Sequence, residues 1–196
     1  MIWRSAVLAA VALVVSSASP SSAQMPGMPG MPGSPRPVQL VISGGLTLPS
    51  GDLADLHDSG FHYDVSLLLN IAGFPVALRP ELSMSRLTLK QPAGSGSGGD
   101  VTQLFAALGN IELPLAGGLY VLAGGGLLFM SLADAAAVGS GESASKFAFD
   151  AGAGFRFRLG GVSGFLEARM GTASYEQGKF GFSKAQFIPV TFGLVF

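Results

Sequence analysis

Apolar and polar side chains alternate along most of the chain, and the alternation is clearest between residues 146 and 159. Every second side chain from Phe147 to Leu159 is apolar, whereas the positions between them hold Ala, Asp, Gly and Arg. Successive side chains of a β-strand point to opposite faces, while an amphipathic helix repeats every 3.6 residues. This segment is therefore predicted to be a strand with one apolar face and one small or charged face.

Seven further segments alternate in the same way, so eight strands are predicted after residue 37. The predicted strands are 38–48, 60–70, 76–89, 101–113, 119–130, 146–159, 162–170 and 183–196. The connections between them are alternately long and short, the short ones being 71–75, 114–118 and 160–161. Short turns at one end and long loops at the other are typical of outer-membrane barrels. The predicted fold class is all-β, an eight-stranded antiparallel up-and-down transmembrane β-barrel.

The last ten residues carry the alternation to the end of the chain. Five apolar side chains share one face of this strand: Ile188, Val190, Phe192, Leu194 and Phe196. A water-soluble protein would cover such a face with helices, but no stretch after residue 23 has the apolar stripe of an amphipathic helix. The apolar faces are therefore expected to contact lipid.

This ending resembles the C-terminal strand of bacterial outer-membrane β-barrel proteins, in which alternating apolar residues and a final Phe are recognised by the barrel-assembly machinery. Further resemblance lies in 48–53 (LPSGDL), 79–81 (RPE), 154–161 (GFRFRLGG) and 165–169 (FLEAR). Together these segments resemble the small opacity-type outer-membrane barrel domain, related in fold to the transmembrane half of outer-membrane protein A. The resemblance covers residues 38–196. It implies the outer membrane of a Gram-negative-type bacterium, with lipid and the assembly machinery as partners.

Two segments precede the predicted barrel. Residues 1–23 have the features of a secretory signal peptide, namely Arg4, an apolar run at 6–15 and small residues at the cleavage site. The run is too short for a spanning helix, which needs about 20 residues. Residues 24–37 contain three Met-Pro-Gly triplets, and Pro and Gly at this density predict a disordered tail. A spacer or partner-binding role is the functional alternative.

Composition narrows the classes of function. Charged residues make up 12% of the chain, about half of the usual share, and this fits a protein that contacts lipid. The net charge of −1 gives no reason to expect a nucleic-acid partner. The absence of cysteine excludes thiolate metal sites and disulfides. We expect no cofactor and a monomer.

Seven charged residues fall in step with the small and polar positions, on the face predicted to point into the barrel. They are Arg79, Glu81, Asp150, Arg156, Arg158, Glu167 and Arg169. Eight strands leave an interior just wide enough for side chains to fill, and a buried ion is costly unless it is paired. We expect a closed network of ion pairs, with Glu112 as a further acceptor; a polar gate or solute path is the alternative. An inward glycine such as Gly152 is expected to tolerate Ser.

Acidic residues surround both histidines of the chain. The group comprises Asp52, Asp55, His57 and Asp58 in the first long loop, and His62 and Asp64 in the second strand. A cation site or an acid–histidine catalytic pair would use such residues, but the Asp spacing misses the calcium-loop pattern. His62 and Ser66 lie two pleats apart, which is poor geometry for a base and its nucleophile. We expect a solvated loop, with weak divalent binding as the alternative.

These observations predict a non-enzymatic outer-membrane barrel with a plugged polar interior, which contributes to envelope structure or to surface-loop interactions. A narrow porin-like channel is the first alternative, and a lipid-modifying enzyme is a weaker one. A soluble periplasmic barrel with an apolar interior is disfavoured, because the charges follow the inward positions.

Overall fold

The computed structural model describes residues 36–90, 101–133, 143–174 and 184–196. The predicted signal peptide and nearly all of the predicted tail lie outside the described residues, as do most of the last three long loops. The end of the predicted tail is an exception, because Asn70 binds it through two hydrogen bonds. Its backbone N–H donates to the Pro37 carbonyl over 2.8 Å, and its side-chain amide donates to the Arg36 carbonyl over 2.7 Å.

Eight antiparallel strands form a closed barrel in which each strand pairs with its neighbours in sequence. The strands are β1 (Val38–Ser50), β2 (Gly60–Asn70), β3 (Ala77–Thr88), β4 (Val101–Pro114), β5 (Leu119–Ala133), β6 (Ser143–Leu159), β7 (Val162–Ser174) and β8 (Lys184–Val195). The barrel closes where β8 pairs with β1, for example at Gly44 and Phe192. Closure leaves no strand edge with unpaired backbone groups. The predicted fold class is confirmed.

The predicted strand limits differ from the observed ones mainly at the long-loop end. β5, β6 and β7 each extend three or four residues further toward that end than the alternation predicts. The reason is composition, since these extensions are rich in Ala, Ser and Gly, whose side chains do not distinguish an apolar face from a polar one.

Glycines in the left-handed backbone region form all three short turns. Gly73 has φ 83°, Gly117 and Gly118 have φ 72° and 85°, and Gly160 has φ 62°. Residues with a Cβ rarely adopt these angles, so glycine allows the chain to reverse within a few residues. Because the number of antiparallel strands is even, the first and last strands begin and end on the side of these short turns.

Apolar side chains cover the outer wall of the barrel, including Phe149 at 61% exposed and Phe192 at 48%. In the C-terminal strand, Val190, Phe192 and Phe196 are exposed, while Ile188 and Leu194 are half-buried. On the described strands, two outward-facing positions carry a charged side chain, Arg86 and Lys184, and both lie near the long-loop end. The predicted apolar outer face is therefore observed, whereas the inner face is apolar at its two ends and charged or polar between them.

The barrel interior has an apolar cluster at each end. The upper cluster, toward the long loops, consists of Leu53, Leu87, Leu104, Ala106, Leu128, Met130, Ala148, Ala173 and Ala185, with Leu108 and Phe187 packed against it. The lower cluster, toward the short turns, consists of Val41, Leu68, Ala77, Tyr120, Leu122, Phe165 and Val195. Charged and polar side chains fill the space between the two clusters.

The first long loop folds over the upper cluster as a lid, by which we mean residues 51–59. It contains the helix α1 (Asp52–Leu56), which the sequence pattern did not predict. Leu53 of α1 is completely buried in the upper cluster. The backbone N–H of Asp58 donates to the Thr88 carbonyl over 2.8 Å, and that of Lys90 donates to the Leu56 carbonyl over 2.9 Å. These bonds fix the lid to the end of β3.

Among the described residues, no helix is long and apolar enough to cross a membrane.

Candidate functional site: the buried ionic layer

Five of the seven charged residues that the pattern placed inside the barrel are buried together between the two clusters. They are Arg79, Glu81, Asp150, Glu167 and Arg169. Arg156 is partly exposed and lies at the short-turn side of this group. Arg158 is exposed, which corrects its assignment to the interior. It points inward by alternation, but it lies next to the last residue of β6, where the barrel meets the solvent.

Arg79 is the most extensively bonded side chain of the group. Its Nη1 lies 2.7 Å from Glu167 Oε2 and 3.8 Å from Glu112 Oε2, and its Nη2 lies 3.3 Å from Glu81 Oε2. Its Nε donates to the Ser66 hydroxyl over 3.2 Å. The guanidinium also lies 5.3 Å from the centre of the Phe165 ring, at the top of the lower cluster. Arg79 therefore links three carboxylates supplied by three different strands.

Arg169 is the second arginine that binds several carboxylates, and it lies on the side of the group nearer the lid. Its Nη1 lies 2.8 Å from Glu81 Oε1 and 3.0 Å from Asp150 Oδ2, and its Nε lies 3.0 Å from Glu167 Oε1. Glu81 and Glu167 thus contact both arginines. Shared contacts of this kind fix each guanidinium plane, which suits the rigid fork of arginine better than the point charge of lysine.

Glu112 and Tyr120 extend the network toward the short turns. Arg156 Nη2 donates to Glu112 Oε1 over 2.8 Å, and its guanidinium lies 5.0 Å from the centre of the Tyr120 ring. The Tyr120 hydroxyl donates to Glu167 Oε2 over 2.7 Å. Glu112 was expected only as an additional acceptor, and Tyr120 was not expected at all. Both occupy inward positions by alternation, so the two-residue period of the strands could have identified them as interior residues.

His62 and Asp64 lie inside the barrel, on β2, rather than with the acidic residues of the first loop. The two ring nitrogens of His62 lie 3.0 Å from Thr47 Oγ1 and 2.9 Å from Thr191 Oγ1. Asp64 Oδ2 accepts a hydrogen bond from Ser43 over 3.2 Å and lies 3.5 Å from His62 Nε2. Ser66, the nucleophile considered with His62, instead accepts a hydrogen bond from Arg79. We define the ionic layer as Asp64, Arg79, Glu81, Glu112, Asp150, Arg156, Glu167 and Arg169.

Inward-facing glycines on β5 and β6 make room for the large side chains of the layer. A Cβ at Gly152 would collide with the Arg169 side chain and with the Ala168 carbonyl. A Cβ at Gly154 would collide with the ring of Tyr120. The expectation that Gly152 tolerates Ser is therefore wrong, because the space above this glycine is already occupied.

The charges of the ionic layer do not balance. It contains five carboxylates (Asp64, Glu81, Glu112, Asp150 and Glu167) and three guanidiniums (Arg79, Arg156 and Arg169). The sequence had indicated four arginines against three acids. The reversal arises because Arg158 lies outside the layer, whereas Asp64 and Glu112 lie within it. Carboxyl side chains therefore outnumber guanidiniums by two.

A small cavity lies between the ionic layer and the upper cluster, with a volume of about 30 Å³. The polar side chains that line it are His62, Asp64, Glu81, Ser83, Ser85, Asp150 and Arg169. Leu104, Leu108 and Leu128 are among the apolar residues that line it. Asp150 Oδ1 is buried at this position without a hydrogen-bond partner among the described residues.

Among the described residues, no three His, Asp or Glu side chains are arranged to hold a metal ion, and this includes those of the acidic first loop. Asp52, Asp55 and Asp58 are exposed, as expected of a solvated loop. His57 differs from that expectation, since it is 3% exposed and its Nε2 lies 2.9 Å from Thr102 Oγ1. Burial lowers the pKa of His57.

No protein-family model and no curated protein sequence matches the chain. Among solved structures, Neisserial surface protein A is 13% identical, with a TM-score of 0.55 over 82% of this chain and 96% of that chain. Ail, the attachment invasion locus protein of Yersinia pestis, was solved in complex with the heparin analogue sucrose octasulfate. It is 16% identical, with a TM-score of 0.51 over 82% of this chain and all of that chain (100%). The chain thus has the fold of the small outer-membrane β-barrels, as the sequence resemblance implied.

Proposed function

We propose that the chain is an integral outer-membrane protein, not an enzyme, whose barrel is closed by its own side chains. The observation that carries the proposal is the combination of an apolar outer wall with an ionic layer held between two apolar clusters. An outer surface of this kind is stable in lipid, where a closed barrel satisfies every backbone hydrogen bond within its own ladder.

The closed interior supports a structural role rather than transport. Arg79 and Glu112 are each 1% exposed, and Glu81 and Glu167 are each 3% exposed. Leu53 of the lid is completely buried above them, and Phe165 and Tyr120 pack below them. A continuous column of water would have to displace apolar side chains at both ends and separate ion pairs in the middle.

The geometry of the interior also supports a non-enzymatic role. His62 lies in the barrel interior, and both of its ring nitrogens face threonine hydroxyls. A substrate would have to pass the lid or the lower cluster to reach it. The candidate pair of His62 and Ser66 is not joined by a hydrogen bond, since both ring nitrogens of His62 lie against threonine hydroxyls and Ser66 accepts from Arg79.

Surface interactions through the long loops complete the proposal. Ail was solved with a polyanionic heparin analogue, and binding of such a ligand requires clustered cations. The described part of the first loop instead presents exposed carboxylates at Asp52, Asp55 and Asp58. Any partner of this loop is therefore expected to be neutral or cationic, and we do not carry polyanion binding over to this chain.

Planar-bilayer conductance of the refolded full-length barrel tests the closed state. We expect the wild-type protein to give no stable current steps. The matched variants are Leu53→Ser, which weakens the lid, and Leu56→Ser, which changes an exposed residue of the same helix. Reproducible ohmic steps from the wild-type barrel would overturn the proposal. Membrane fractionation tests localisation separately, and recovery of the mature chain as a soluble periplasmic protein would refute it.

A narrow channel is the second candidate, and the observation that favours it is the cavity of about 30 Å³ beside the ionic layer. Such a channel would open only if the lid moves and the side chains of the ionic layer and the lower cluster separate, because all three fill the interior. If Leu53→Ser conducts while the wild type and Leu56→Ser do not, a channel that the lid helps to close is favoured. If none of the three conducts, the plugged barrel is favoured.

A further inference from the structure

We infer that the cavity between Asp64, Glu81 and Asp150 binds one small monovalent positive charge, either a sodium ion or a proton carried by water or by a cavity side chain. The inference rests on the charges and the cavity inside the barrel. It holds whether the barrel is a plug or a gated channel, so it stands independently of the proposed function.

The ion pairs of the layer concentrate its negative excess at two residues. Glu112 is paired with Arg156 on the short-turn side. Glu81 and Glu167 are each paired with both Arg79 and Arg169. The remaining carboxylates are Asp64 and Asp150, and both line the cavity.

The negative charges of Asp64 and Asp150 are poorly compensated by nearby positive charges, for a different reason in each case. Asp150 shares the guanidinium of Arg169 with two other carboxylates, at 3.0 Å from its Oδ2. Asp64 has Ser43 as a hydrogen-bond donor and His62 nearby, but no arginine within ion-pair distance among the described residues. A carboxylate in a sealed, low-dielectric interior is unfavourable unless a positive charge or a proton compensates it.

The unpaired oxygen of Asp150 indicates where the positive charge binds. Asp150 is 9% exposed, and its Oδ1 has no hydrogen-bond partner within the described residues although it is buried. Because Asp150 also lines the cavity, this oxygen is available to a group inside it. Buried acceptors without a partner are rare in folded proteins, and a bound ion or water molecule commonly satisfies them.

The cavity is large enough for this ligand and chemically suited to it. A volume of about 30 Å³ exceeds the space that a single water molecule requires. The Ser83 and Ser85 hydroxyls add neutral oxygens to the carboxylates, which suits a hard cation such as sodium. No three acidic or histidine side chains of the described residues are arranged to hold a metal ion. A sodium ion would therefore bind to fewer carboxylates together with the serine hydroxyls, and a divalent ion is disfavoured.

Every charged group that faces the cavity belongs to four strands. β2 contributes His62 and Asp64, β3 contributes Glu81, β6 contributes Asp150, and β7 contributes Arg169. The walls from β4, β5 and β8 are uncharged. Lys146 lies higher on β6 and does not line the cavity. A bound proton would therefore be held by one of the three carboxylates or by cavity water.

The thermal unfolding midpoint of the refolded full-length barrel distinguishes the two sources. If sodium binds, replacing sodium by choline at constant ionic strength and pH should lower the midpoint of the wild type. If a proton binds, sodium should have no effect, and the midpoint should fall as the pH rises from about 6 to about 9. The sign follows because the folded state would then hold more protons than the unfolded chain.

Two amide variants locate the effect within the barrel. Asp150→Asn removes one of the two poorly compensated carboxylates at the cavity and should weaken whichever dependence the wild type shows. Glu112→Gln removes a carboxylate of the same layer outside the cavity, and it should leave that dependence in place. Equal loss in both variants, or a dependence that is unchanged in Asp150→Asn, would overturn the inference.

Measurements on the wild type alone keep the test valid if a variant does not insert. Sodium-23 NMR should show broadening of the sodium signal by the folded barrel and none by the urea-unfolded chain. For a bound proton, the infrared difference spectrum between the two pH values should show loss of a protonated carboxyl band. Absence of all these signals, together with a midpoint that is indifferent to sodium and pH, would refute the inference.

Discussion

Replacing Arg169 by Met is expected to destabilise the barrel more than any change of one acid to its amide within the ionic layer. The three carboxylates of Glu81, Asp150 and Glu167 lie 2.8–3.0 Å from its guanidinium. Methionine is uncharged and flexible, and it retains much of the packed volume of the arginine stem. The loss of stability should therefore report mainly the missing positive charge.

The expected cost follows from what each carboxylate retains after the substitution. Glu81 and Glu167 keep their contacts with Arg79, whereas Asp150 loses its arginine. Removing one partner of a buried ion pair costs about 3–5 kcal/mol, and we expect Arg169→Met near the upper end of that range. Glu81→Gln lowers the negative excess of the layer by one and retains a side chain of the same shape. Its expected cost is about 2 kcal/mol or less, comparable to weakening a hydrogen bond to a charged group.

Urea titration of the barrel refolded in lipid vesicles measures these differences. Circular dichroism is the appropriate probe, because the single tryptophan, Trp3, lies outside the barrel segment. Arg158→Met is the matched control, since this arginine is exposed and should change stability by about 0.5 kcal/mol or less. If Glu81→Gln costs as much as Arg169→Met, the excess of acid over arginine in the interior is refuted. If Arg158→Met costs as much as Arg169→Met, the ionic layer does not stabilise the barrel.

Three further perturbations test the wall, the chain end and the lid. On the outer wall, Ala151→Arg should cost about 2–4 kcal/mol in lipid, whereas Ala151→Ser should be mild in the same urea titration. The neighbouring inward variant Gly152→Ser should also destabilise the barrel, and a neutral effect would contradict the packing of Arg169. Deleting Phe196 should leave chain in the periplasm by fractionation, and normal insertion would count against an assembly signal. Because the pKa of His57 is lowered in the folded state, lid stability should decline as the pH falls below about 6.5. Amide hydrogen exchange in α1 measures this decline, and His57→Asn should remove it.

The eight strands and their two faces could be predicted from the alternation, and the strand order from the alternately long and short connections. The alternation is informative because burial on one face imposes a period of two on each strand, whichever strand is its neighbour. β2 was predicted with its observed limits, Gly60–Asn70. α1 was missed because five residues are too few for a helical period, and its stability depends on Leu53 reaching the upper cluster.

The ionic layer could be predicted only in part. Alternation identified the face of each charged residue but not its height along the barrel, so it placed the exposed Arg158 beside the buried Arg169. Asp64 was assigned with the acidic loop because it is close to that loop in sequence, whereas its side chain lies inside the barrel with Ser43. The charge balance predicted for the interior therefore had the wrong sign.

The sequence by itself determined the architecture, because the period of two, the glycine turns and the apolar final strand are local features. Only the tertiary structure decided which charges meet. Arg79 and Glu167 are separated by 88 residues, yet their side chains lie 2.7 Å apart across the interior. That distance depends on the register of every ladder between them and on closure of β8 against β1. Alternation specifies the face of a residue, whereas a contact across the barrel requires face, height and position around the circumference together.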